Sequence, residues 1–190
     1  MRHFTNRFWF GPAAAVLAFS SLNVCAASTT DIWQTPAVHG YGKIHPILEK
    51  KSDYAPSVHE ISKVVFSIKQ ASEKPSEINS QLDCVARAIN LYVADGVPLD
   101  HMSVVAIVSG AATTAMLDNT HYHERFGVDN PNLPLITALR AAGVDVVVSA
   151  QSVAKNELNS QWIVNGVKVA LSSITAVTAL EQKGYVQLPI

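Results

Sequence analysis

The chain has 190 residues, of which 48% are hydrophobic and 15% charged, with a formal net charge of −1. That balance excludes a disordered chain, which is poor in apolar residues and rich in charge. Nine Gly and nine Pro exclude collagen-like and low-complexity classes. A near-neutral chain offers no electrostatic reason to bind nucleic acid.

Residues 1–27 carry Arg2 and Arg7, then an apolar run from Phe8 to Leu22, then small residues. This is the pattern of a secretory signal peptide, cut after Ala27. The run contains Gly11 and Pro12 and falls short of the roughly 20 residues needed to span a bilayer. The expected product is a periplasmic or secreted protein, free of the membrane once cleaved. Cys25 leaves with the segment, so the mature chain keeps one thiol, Cys84, and no internal disulfide.

Residues 28–60 form an extended arm ahead of an α/β domain over 61–190. Pro36, Pro46 and Pro56 interrupt any helix there, and Trp33 and Tyr41 need a surface to cover them, on the domain or on a neighbouring subunit.

Strand and helix patterns then alternate. Lys63 to Ile68 reads as a first strand. Ile78, Leu82, Val85, Ile89 and Val93 make an apolar stripe on a helix from Glu77 to Asp95, stopped by Gly96 and Pro98. Ser103 to Val108 is a second strand, followed by short helical pieces at 112–117 and 120–126. Asn130 suits a helix N-cap, with Pro131 in the first turn and Gly143 as the stop. Val144 to Val148 is a third strand, 153–158 a weak helix, Val167 to Leu171 a fourth strand, and 174–183 a helix. Tyr185 to Leu188 is a fifth strand or a tail. Strands separated by helices pair in parallel. The fold class is therefore α/β: a three-layer α/β/α domain on a mainly parallel sheet of four or five strands.

In an open parallel sheet, ligands bind beyond the carboxyl ends of the strands. Those ends carry Ser109 and Gly110, Ser149 and Gln151, and Ser172 and Ser173. The same serines can cap the helices that follow, Ser173 in particular. Asn132 has no such local duty and is a candidate to touch a ligand or a subunit. Ser109, Gly110, Asn132, Ser149 and Gln151 make the candidate pocket. His121 and His123, two apart on a helix, point in different directions and make a poor metal pair. No metal or cofactor is expected. Ser149 as a hydrolase nucleophile lacks the glycines of a nucleophile elbow.

Strung together, KVVFSI (63–68), LDCVARAINLYVADGVP (82–98), VVAIVSGAAT (104–113), FGVDNPNLPLITALRAAGVDVVVSAQS (126–152) and GVKVALSSITAVTALEQKGY (166–185) resemble the DsrE/DsrF-like family. The Trp33…Thr35-Pro36-Ala37-Val38…Gly40-Tyr41-Gly42 arm resembles its exported branch. The resemblance implies assembly into trimers or hexamers and a link to sulfur oxidation or relay, with sulfur-pathway proteins as partners. Some members carry sulfur as a persulfide on a cysteine after the third strand, in a Cys-Gly-Gln setting. Here those positions are Ser149, Ala150 and Gln151, and Ser109-Gly110 stands where His-Gly is common. A persulfide needs a thiolate, which a serine hydroxyl cannot supply. The resemblance therefore implies a non-catalytic binding or assembly module. The alternatives are a sulfur relay on Cys84 and a small hydrolase on Ser149. Cys84 lies beside the apolar stripe, where a buried, inert thiol is expected.

Overall fold

The computed structural model describes residues 32–46 and 52–190. The expected signal peptide lies outside the described residues, as do 28–31 and 47–51 of the arm. Among the described residues, no helix is long and apolar enough to cross a membrane.

Five strands build the sheet: β1 (Ser62–Ile68), β2 (Met102–Val108), β3 (Asp145–Ser149), β4 (Lys168–Ala170) and β5 (Val186–Leu188). Their order is β4-β3-β2-β1-β5, and every pairing is parallel. The helices are α1 (Ser80–Ala94), α2 (Asn119–Phe126), α3 (Leu133–Ala141), α4 (Ala150–Lys155) and α5 (Ser173–Glu181), with 3-10 segments at Leu99–His101, Gly110–Met116 and Ser160–Trp162. The expected three-layer α/β/α architecture is present. The fifth segment, open between strand and tail in the sequence, pairs with β1.

The strand order decides which face each helix covers. From β1 to β4 the chain steps in one direction across the sheet, and right-handed crossovers then place every intervening helix on one face. The return from β4 to β5 runs the other way, so α5 falls on the opposite face. The core follows this division. Val64, Phe66, Ile68, Val104, Ala106, Val108, Val146 and Val148 pack under Leu82, Val85 and Ile89 of α1 and Leu135, Ile136 and Leu139 of α3. Val65, Val105 and Ile107 on the opposite face meet only Ala176, Val177 and Leu180 of α5, with Val147 and Tyr185 beside them. The thinly covered side leaves large apolar groups in water around β4 and α5: Leu171 is 71% exposed and Ile174 78%.

Helix starts differ from the sequence reading for local reasons. Helix α1 begins three residues later than expected, because the Asn79 side chain accepts the N–H groups of Gln81 and Leu82 and ends the preceding loop. Ile78 thereby drops out of the apolar stripe and is 38% exposed. Helix α3 starts at Leu133, with Asn132 rather than Asn130 at the cap position and Pro134 in the first turn. The Asn130 side chain is drawn into the interior instead. Helix α5 is capped by Ser172, not Ser173: its hydroxyl accepts from Thr175 N–H at 3.2 Å. Gly96 and Gly143 stop their helices as expected, both in the left-handed region.

Residues 32–46 pack on the domain as a short strap along α1. Gln34 and Ile44 form an antiparallel bridge, and Val38 and Ile44 are almost fully buried. The buried amide of Asn90 holds the strap. Its Oδ1 accepts from Ala37 N–H (2.9 Å) and Val38 N–H (2.8 Å). Its Nδ2 donates to the carbonyls of Tyr41 and Gly42, both at 2.9 Å. Gly42 lies so close to α1 that a Cβ there would sit 2.1 Å from the Arg87 nitrogen.

Candidate functional site

The carboxyl ends of β2 and β3 are joined by side chains of α4. Ser109 continues the ladder, its N–H donating to Ile68 O at 2.9 Å. Gly110 then turns the chain at φ +58, where L side chains are strained. Its N–H donates to Ser152 Oγ at 3.1 Å, and its carbonyl accepts from Asn156 Nδ2 at 3.1 Å. Ser109 occupies the cap position of the 3-10 segment, yet its hydroxyl caps nothing there.

Ser149 is the last residue of β3 and is 1% exposed. Its Oγ accepts from Ser152 N–H at 3.3 Å, so the hydroxyl serves as the N-cap of α4. Gln151 is exposed, and its N–H donates to Leu171 O at 3.2 Å. Three N–H donors here are thus engaged: Gly110 by Ser152, Gln151 by the Leu171 carbonyl just past β4, and Ser152 by Ser149. Ser109, Gly110 and Ser149 share this cluster, and Gln151 stands at its exposed edge.

Asn132 belongs to a different network. It is fully buried, its Oδ1 accepts from Asn79 N–H at 2.7 Å, and its Nδ2 donates to Asn130 Oδ1 at 3.0 Å. Asn130 Nδ2 in turn donates to the carbonyls of Ala115 (3.0 Å) and Leu117 (2.7 Å). Asn79 Nδ2 donates to Gln70 O at 2.7 Å, and Gln81 Oε1 accepts from Lys69 and Gln70 N–H. These amides tie the loops after β1 and β2 to the start of α3. Among the described residues, no side-chain hydrogen bond joins this network to the Ser149 cluster.

Sequence reasoning passed over Asn79, Gln81 and Asn90, and assigned Asn130 only a capping duty. One signal was available: Asn90 lies four residues after Ala86 and three before Val93, a polar residue inside an apolar stripe. For the others, burial arises only when loops distant in sequence meet.

Cys84 is partly exposed rather than buried. The face of α1 turned to the sheet is set by Leu82, Val85, Ala86 and Ile89, and Cys84 lies to its side.

His121 and His123 take separate partners, as their spacing implies. His123 Nδ1 lies 3.1 Å from Asp129 Oδ1. His121 Nδ1 lies 2.8 Å from both carboxylate oxygens of Asp118. Among the described residues, no cluster of three or more His, Cys, Asp or Glu side chains is placed to hold a metal ion.

Partial burial pushes the Asp118 carboxyl up, but hydrogen bonds from the His121 backbone N–H, the His121 ring and Thr120 N–H outweigh it. The carboxyl is held below its ordinary 3.8. The folded chain then binds fewer protons at this group than the unfolded chain. The stability it contributes is present above the unfolded value and lost as pH falls through the lowered native one. Asn is as good a cap as Asp, so Asp118→Asn isolates the charge. Urea midpoints of wild type and variant are expected to differ slightly at neutral pH and to converge below the carboxylate range. A gap that persists at low pH contradicts this account.

The fold is an all-parallel α/β domain with its polar cluster at the carboxyl ends of the central strands. The chain belongs to the DsrE/DsrF-like family, whose model matches residues 62–189. Among solved structures, it is similar to a protein of unknown function, MTH1491, from Methanobacterium thermoautotrophicum. That likeness has 13% identity and a TM-score of 0.49, over 67% of this chain and 97% of the other. It is also similar to the ychN protein from E. coli, at 12% identity and a TM-score of 0.45, over 67% of this chain and 99% of the other. A search of curated proteins finds no match.

Proposed function

We propose that this chain is an exported member of its family, in the periplasm or outside the cell. Within sulfur metabolism it acts as a non-catalytic binding or assembly module rather than as a sulfur carrier. The observation that carries the reading is the state of Ser149. The residue after β3, where the family's carriers place a cysteine, is a serine with its hydroxyl committed to capping α4. It has no thiolate to offer, and the N–H groups of Gly110, Gln151 and Ser152 beside it are already engaged. The same facts weigh against a hydrolase: Ser149 is 1% exposed and has no histidine hydrogen-bonded to it among the described residues. The exposed part of this edge is the Gln151 side chain with Gly110 and Ala111 beside it, and we assign ligand or partner contact to that edge. Asn132 does not line this edge, being fully buried with its amide engaged by Asn79 and Asn130.

Self-association follows from the thin layer. Leu171, one residue past β4, and Ile174, in the first turn of α5, stand in water, and a second copy of the chain, in a trimer or hexamer, would cover them.

The partial exposure of Cys84 favours one second reading, a sulfur relay on that thiol. Polysulfide treatment followed by mass spectrometry of the folded protein separates the two. The expected result is no stable adduct of one sulfur atom on Cys84, with light scattering reporting an oligomer. A stoichiometric adduct on Cys84, reversed by a thiol reductant and absent from Cys84→Ser, overturns the module reading and establishes the relay.

A further inference from the structure

Helix α2 presents His121, Glu124 and Arg125 at positions i, i+3 and i+4, on one face of the helix. Tyr122 and Phe126 occupy the face toward the core. The titratable face is open to solvent on one side, with Glu124 and Arg125 exposed and His121 half-buried. It also lines a cavity of about 160 Å³ completed by Leu117, Leu158 and Trp162.

The two walls of this cavity are stitched together by the main chain. Leu117 and Ile163 form an antiparallel bridge, Asp118 N–H donates to Trp162 O at 2.7 Å, and Val164 N–H donates to Met116 O at 2.9 Å. The cavity is therefore formed in advance, and little ordering is left for a ligand to induce. The floor is apolar, since Leu117 and Leu158 are buried.

Its polar groups have few partners in the protein; the Arg125 guanidinium lies 5.9 Å from the centroid of the Phe126 ring. The His121 ring stacks on Trp162 with centroids 4.6 Å apart and planes 17° from parallel. The Asp118 carboxylate grips Nδ1, so the ring is held on two sides and Nε2 is the nitrogen left over. Nε2 makes no hydrogen bond with the described residues, and neither Glu124 nor Arg125 has an ion-pair partner among them. One carboxylate and one guanidinium thus stand beside a greasy floor, with a fixed imidazole between protein and cavity.

From this geometry we propose that the cavity is a binding site for a small zwitterion of α-amino-acid type with an aliphatic side chain. The side chain rests on Leu117 and Leu158, the ligand carboxylate pairs with Arg125, the ligand ammonium pairs with Glu124, and His121 Nε2 takes a remaining hydrogen bond. A guanidinium meets a carboxylate in a two-pronged fit that a lone charge does not match. Opposite charges on adjacent residues select a ligand carrying both signs. This site is independent of the Ser149 edge and stands or falls apart from the proposed function.

Three probes share one isobutyl group and differ only in charge: L-leucine, 4-methylpentanoate without the ammonium, and 3-methylbutylamine without the carboxylate. The full chain is titrated with each while the His121 ring signals are followed by NMR and Trp162 by fluorescence, the latter assigned with Trp162→Phe. Leucine is expected to give a saturable shift at both rings. Each analogue lacks one charge-assisted contact and is expected to bind about tenfold more weakly or worse. Glu124→Gln is expected to bring leucine down to the level of 4-methylpentanoate, and Arg125→Gln to the level of 3-methylbutylamine. Both side chains are exposed, so neither change threatens the fold. The proposal is overturned if leucine gives no saturable shift, if either analogue binds as tightly as leucine, or if both variants bind leucine like the wild type.

Discussion

Asn130→Ala is expected to remove a large share of the stability of the domain. The side chain is 4% exposed and makes four hydrogen bonds: two donated to the carbonyls of Ala115 and Leu117, and two accepted from the N–H and Nδ2 of Asn132. Truncation leaves these buried groups without partners, and each orphaned group costs about 1–3 kcal/mol. Discounting for relaxation and non-additivity, the loss is about 4 kcal/mol or more, against a total of roughly 5–15 for an ordinary domain. Urea unfolding at neutral pH measures it. Asn119→Ala is the comparison, because Asn119 contributes one bond at the exposed end of the same loop, to Asn130 N–H at 2.8 Å, and is expected to cost about 1 kcal/mol. Asn130→Asp keeps the acceptor and loses both donors, so it should fall nearer to Asn130→Ala than to wild type. Equal stability for the Asn119 and Asn130 variants would show that the network does not hold the loops.

Asn90→Ala is expected to release the strap over residues 32–46 while the sheet stays folded. Four main-chain groups of the strap depend on this amide. Unlike the loops around Asn130, the strap can leave its groups in water by peeling away. The penalty is therefore capped at the strap's docking energy. Val38 and Ile44 would be exposed, at about 1.5–3 kcal/mol each. Gln34 and Ile44 would lose their bridge. We expect a loss of about 3–5 kcal/mol, with fast hydrogen exchange and early proteolysis across 32–46 and retained protection in β1 to β3. Gly42→Ala tests the same docking from the strap side, since its Cβ would collide with the α1 backbone. If exchange across 32–46 stays slow in both variants, Asn90 is not the clamp.

The two amides differ in a way that bears on function. Asn130 and Asn132 hold the loops that follow β1 and β2, and so define the edge of the sheet where the Ser149 cluster lies. Asn90 holds a segment on the helix-rich face and does not shape that edge. Damage at Asn130 should disturb any ligand or partner contact at the Ser149 edge, whereas strap release should leave that contact intact.

Much of the architecture was legible in the residues because its causes are local. Strands β1, β2 and β3 showed as β-branched runs, within a residue of their observed limits. Gly96 and Gly143 marked helix ends, since only glycine takes the left-handed conformation without strain. Alternation of strands and helices was enough for a parallel sheet, because parallel neighbours require crossovers. At the site, the position of Ser149 at the end of β3 and the divergence of His121 and His123 followed from spacing alone.

Other features needed the folded chain because they depend on residues far apart in sequence. Whether 185–188 was a strand rested on an open edge at β1. Asn132 read as a free side chain until the loop after β1 arrived with the Asn79 N–H. A polar side chain carries no local mark of whether a partner will meet it. The cavity between α2 and Trp162 has the same origin: its helix spacing is written in residues 121–125, but its floor and far wall come from Leu158 and Trp162, brought near only by the bridge at Leu117 and Ile163. Period, caps and breakers act over a few residues, whereas convergence and burial are properties of the assembled layers.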